Sequence, residues 1–118
     1  MLRLIKENPI SIEIDITDAL TTLDKTVEDI TDLAFVVKRE AGDDDADAIL
    51  LKKLSDDDIV LADNGKYYAP MVASDYEDFT VGKVYLFAVG ILYSGIENFL
   101  ELEFDDNKIS VIGDYLRA

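Results

Sequence analysis

Ile10-Ser11-Ile12-Glu13-Ile14-Asp15-Ile16 places a branched aliphatic residue at every second position with a polar residue between each pair. Side chains alternate between the two faces of a strand, so this run reads as a β-strand with one face in a core and the other in water. Working outward, Leu33-Ala34-Phe35-Val36-Val37-Lys38 is a second strand, with Leu33, Phe35 and Val37 on one face and Ala34, Val36 and Lys38 on the other. Residues 17–29 read as a loop or one short turn, because Thr21, Thr22 and Thr26 weaken a longer helix. Ile49 to Leu54 gives a third strand, although its pattern also fits a short helix. Ile59 to Ala62 and Lys66 to Ala69 flank Asn64-Gly65, whose tolerance of positive φ marks a hairpin. Pro70, lacking an N–H, belongs on an edge or at a bulge. Ser74 to Phe79 reads as a capped single turn before Gly82.

Lys83 to Leu92 is the strongest strand, apolar on both faces, and so either central or in contact with a partner. After a turn at Ser94-Gly95, Leu100, Leu102 and Phe104 alternate with Glu101 and Glu103; Ile109, Val111 and Ile112 close the sheet. Seven or eight short strands at this spacing predict an all-β, antiparallel β-sandwich, as one domain over residues 1–118. The residues expected inside are Ile12, Ile14, Phe35, Val37, Leu86, Ala88, Leu100 and Leu102. Tyr85, Phe87, Val89, Ile91 and Phe99 are then left as an outer apolar face, to be covered either by the N-terminal segment Met1 to Ile5 or, the favoured reading, by a partner chain.

Composition narrows the chemistry. Cys, His and Trp are absent, which removes disulfides and the commonest general base and zinc ligands. A formal charge of −15, from 11 basic and 26 acidic residues, opposes direct binding to phosphate backbones. No apolar run approaches the roughly 18 residues of a membrane span. The start, Met1 to Lys6, is too short and too polar beyond that point for a signal peptide, so synthesis in the cytoplasm is expected.

Asp29-Ile30-Thr31, the strand Ala34 to Arg39, the Asp/Ala-rich run Asp43 to Ala48, Asn64-Gly65-Lys66-Tyr67, Asp75 with Phe79, Gly82-Lys83-Val84-Tyr85 and Lys108 to Asp114 follow one another along the chain. Together they resemble phage proteins related to the immunoglobulin-like N-terminal domain of baseplate upper proteins, over Asp29 to Arg117. Asp32 stands where that group often has Gly, and Asn98-Phe99-Leu100 is less polar than its last hairpin. The resemblance implies an immunoglobulin-like fold and a virion protein of the tail, neck or baseplate, with no catalytic residue.

Asp43-Asp44-Asp45-Ala46-Asp47 is the one run that suggests a hard cation, but an EF-hand spacing puts Gly and Glu where Ala48 and Leu54 stand. Ser55-Asp56-Asp57-Asp58 reads as a strand terminator. Tyr67, Tyr68, Tyr76, Phe79, Tyr85, Phe87, Tyr93, Phe99 and Phe104 are mainly core, with Tyr68 and Tyr93 as candidate interface anchors. The expected function is therefore a non-catalytic structural or adaptor subunit of a bacteriophage particle, without cofactor, metal, nucleic acid or membrane. Its partners would be other virion proteins and its own copies in a symmetric oligomer. The rival readings are an acidic inhibitor that imitates nucleic acid and a Ca²⁺- or sugar-binding adhesin module. A Ca²⁺ chelator should leave the melting temperature nearly unchanged. A fall equivalent to several kcal/mol, as a saturated tight site supplies, would restore the metal reading.

Overall fold

The computed structural model describes residues 2–40, 48–102, 104 and 106–113. The strands in chain order are β1 (Leu2–Ile5), β2 (Ile10–Ile14), β3 (Ile30–Lys38), β4 (Leu50–Lys53), β5 (Val60–Leu61), β6 (Tyr67–Met71), β7 (Val84–Tyr93), β8 (Leu100–Leu102) and β9 (Lys108–Ile112). One helix, α1 (Thr17–Leu23), lies between β2 and β3. The large sheet runs β1-β9-β7-β3-β4, with β8 also on β7, and the small sheet runs β2-β6-β5. The two sheets pack face to face around one apolar cluster. The molecule is thus mostly β and sandwich-like, with nine strands among the described residues rather than seven or eight.

The longest ladder joins β3 to β7, with Leu33 opposite Ile91, Phe35 opposite Val89 and Val37 opposite Phe87. Cross-strand partners share a face, so the inward Phe35 carries Val89 and Phe87 inward with it. Tyr85, Val89 and Ile91 are buried, and Phe87 packs on Phe35 and Phe104 at ring separations of 5.6 Å. This reverses the expected faces of β7: Leu86 and Ala88 point outward, and Phe87 points inward, half-buried against the core. Val84, Leu86, Ala88, Gly90 and Leu92 form the outer side. Ile12, Ile14, Phe35 and Val37 are buried as expected. Leu102 is half-buried against the cluster, whereas Leu100, on the same side, stays 39% exposed.

The small sheet supplies the facing layer. Ile12 pairs with Ala69 and Ile14 with Tyr67, and all four are buried. The β5–β6 hairpin closes at Gly65, whose φ of +80° suits a residue without a Cβ. β5 covers only Tyr67 and Tyr68, so Pro70 sits where β6 has become an edge on that side. Ala73–Tyr76 forms the expected single turn, and Tyr76 donates its hydroxyl hydrogen to the carbonyl of Asn8 at 2.8 Å.

Two further expectations are corrected. Residues 17–23 are helical, with Leu20 anchoring the turn in the core while the hydroxyls of Thr21 and Thr22 find acceptors in the carbonyls of Thr17 and Asp18. Asp24, at φ +56°, ends the helix. The sheets are also not wholly antiparallel: β1 runs parallel to β9, from Leu2 opposite Ile109 to Ile5 opposite Ile112. The chain then crosses to the small sheet as β2, so its first extended segment serves both layers.

Charging Phe87 and Phe99 separates core from surface. Phe87→Asp should cost about 3 kcal/mol or more, because it removes the ring contacts with Phe35 and Phe104 and sets a carboxylate against the core. Phe99→Asp should cost about 1 kcal/mol, since its ring is already 39% exposed. Equal losses in urea titrations would refute the assignment of faces.

Candidate functional site on the outer face of the large sheet

The outward side of the large sheet is apolar at its centre. Ala34 and Val36 of β3 lie opposite Gly90 and Ala88 of β7, with Leu51 of β4 opposite Val36. The small side chains leave room for Phe99, which folds over from the loop before β8. A Cβ added at Gly90 would lie 3.2 Å from that of Phe99, closer than ordinary packing allows. Lys53 Nζ sits 5.8 Å from the centre of the Phe99 ring, within cation–π range. Phe99 shelters Ala34 and Gly90 but does not complete the cover: Leu51 and Val84 remain 45% and 49% exposed.

Charge on this face differs from charge on the chain. Register puts four basic residues, Arg3, Lys38, Lys53 and Lys108, on the outward side with the acidic Asp32 and Glu101, and Glu40, just past β3, lines a hollow there beside Lys38, Leu86 and Ala88. Asp32 is turned to its own fold, accepting from the amide of Leu33 at 2.8 Å and from the amide and hydroxyl of Ser55 at 3.0 and 2.9 Å. A chain of −15 thus presents one broad face that is apolar with a basic rim.

Many of the other acids occupy turns, where they satisfy free backbone donors. Asp29 accepts from the amide of Thr26 at 2.8 Å and Asp75 from that of Val72 at 2.9 Å. Asp75 also binds Lys52 Nζ at 3.0 Å, tying β4 of one sheet to the turn that follows β6 of the other. Lys52 is only 7% exposed and was not singled out by the sequence. Its place on the inner side of β4, two residues after Leu50, is the signal that it would need such a partner.

The Ser55–Asp58 run ends β4, in a single turn over Leu54–Asp56 with Asp57 at φ +61°, as expected. The Asp43–Asp47 run lies outside the described residues. Among the described residues no group of three or more acidic side chains converges as a metal site. Of the aromatics, Tyr67, Tyr76, Phe79 and Tyr85 are buried, and Phe79 meets Tyr85 edge-on at 4.9 Å. The two candidate anchors have partners within the chain: Tyr68 accepts from Asn64 at 3.2 Å, and Lys25 lies 5.2 Å from the ring of Tyr93. Burial raises the hydroxyl pKa of Tyr67 and Tyr76. No protein-family model, curated protein or solved structure matches the chain.

Asp15 gives a pH test of the turn acids. Hydrogen bonds from the side chain and then the amide of Thr17 hold its carboxyl below the ordinary 3.8. A depressed folded-state pKa stabilises the fold above the unfolded value, and that contribution fades as pH falls through the folded value. The stability gap between wild type and Asp15→Ala should therefore be constant above about pH 5 and shrink below pH 3.8. A gap that does not change down to acid unfolding would contradict this.

Proposed function

We propose that the chain is an immunoglobulin-like sandwich serving as a non-catalytic structural or adaptor subunit of a bacteriophage particle, at a tail, neck or baseplate. The observation that carries the contact-based reading is the outer face of the large sheet. Leu51, Val84, Ala88 and Phe99 offer apolar area there, with Glu101 the acidic side chain among them and many of the other acids engaged in turns. Large apolar patches rimmed by polar groups mark contact surfaces. The basic rim suits an acidic partner surface, and the acidic turns of a further copy of this chain have that character. Repulsion between free subunits at −15 would oppose disordered clumping, while docking buries the patch.

The immunoglobulin-like reading is supported by two packed sheets joined by connections that switch between them, as β1 and β2 do. The virion reading takes its support from the sequence resemblance over Asp29 to Arg117.

Density-gradient fractionation of particles from producing cells tests the proposal. The wild-type chain should sediment with the particles. Leu51→Glu combined with Ala88→Glu should remain in the free fraction while its melting temperature stays within a few degrees of wild type. Recovery of the wild-type chain only as free protein, or in complex with a DNA-binding enzyme, would overturn the reading.

A further inference from the structure

The small sheet has three strands and the large sheet six, so the inner face of the large sheet is not fully covered. The shortfall lies beside β2. This strand pairs with β6 on one side, and among the described residues no backbone hydrogen bond reaches its other edge. Alongside that edge is a cavity of about 230 Å³. Ile12 and Ile14 wall it on the β2 side, Phe87 and Val89 of β7 form its floor, and Leu2 and Phe104 bound it opposite. Glu13 points away from the core in the alternation of β2, yet it also lines the cavity. The opening therefore reaches the free edge of the strand.

We infer that β2 and this cavity accept an extended segment of a partner chain, added as a further strand, whose alternate residues are apolar and basic. Strand addition uses the unpaired N–H and C=O groups of an edge for affinity and pockets for alternate side chains for selectivity. Apolar cavities of about 150 Å³ admit a benzene-sized group, so this one takes one aromatic or two small aliphatic side chains. The basic residues follow from Glu13 and Asp15, whose carboxylates belong to the residues lining the cavity on the β2 side. Glu13 already holds one ammonium, that of Lys66, at 3.0 Å. A second copy of β2 is disfavoured as occupant, because it would set Glu13 and Asp15 against their own kind. The inference rests on the contact-based reading above but uses a different surface.

The test uses the full chain and two synthetic eight-residue peptides, one alternating lysine with valine and leucine, the other with glutamate in place of lysine. The lysine peptide should bind saturably and slow amide exchange selectively within Ile10–Ile14. The glutamate peptide should bind at least tenfold more weakly. Glu13→Gln combined with Asp15→Asn should weaken the lysine peptide at least tenfold with little change in melting temperature. The Leu51→Glu, Ala88→Glu variant should bind the peptide as wild type does, which separates this edge from the outer face. Equal binding of the two peptides, protection confined to β1 or β4, or self-association through β2 would each overturn the inference.

Discussion

The ladder between β3 and β7 is the constraint from which the other elements take their places. Both strands are apolar on both sides, and eight registered pairs hold them together. Each face of that pair has its own cover, more complete on the inner side than on the outer. The inner cover is the small sheet, with Ile12, Ile14, Tyr67, Ala69 and Met71. The outer one is partial, made by Phe99 over Gly90, with the ammonium of Lys53 5.8 Å from the centre of its ring. β7 also divides its free edge between β9 near Val84–Leu86 and β8 near Val89–Ile91. Between these contacts the amide of Phe87 donates to the carbonyl of Asn107 at 2.9 Å, which keeps the ladder satisfied across the break.

Much of this architecture is legible in the amino-acid order, for a physical reason. Where one face is wet, alternation fixes orientation, and Ile12, Ile14, Phe35 and Val37 fall where their pattern puts them. β7 carries no such information, because apolar residues occupy both sides. Side-chain size held the missing signal: Ala88 and Gly90 are small and stand opposite Val36 and Ala34, whereas Tyr85, Phe87 and Ile91 are large enough to fill a core. The helix at Thr17–Leu23 was obscured because threonine propensities refer to solvent, not to a turn anchored by Leu20. The pairing of β1 with β9 joins segments from opposite ends of the chain, and local pattern does not encode it.

The candidate surfaces were less legible than the fold. Sequence alternation located an outer apolar face on β7 but chose the wrong side of it. It gave no sign that Arg3, Lys38, Lys53 and Lys108 gather on one sheet, since they are spread over more than a hundred positions. Lys52 shows how narrow the distinction is. One residue along β4 separates it from Lys53, yet the first is in the core with Asp75 and the second lies over Phe99. Period-2 geometry turns adjacent, chemically identical residues into an internal clasp between sheets and a surface cation.

The parallel pairing of β1 and β9 has a mechanical side. Parallel neighbours start at the same end of the sheet, so Leu2 at the head of β1 and Ile112 at the foot of β9 lie at opposite ends. Tension applied through those two residues slides one strand along the other. It loads the Leu2–Ile109, Arg3–Ser110, Leu4–Val111 and Ile5–Ile112 positions together rather than peeling them apart in turn. Resistance then depends on the rate of crossing a barrier rather than on equilibrium stability. A chain strung between two neighbours by its ends would carry load through a shear clasp whose two halves are the first and last strands of the sandwich.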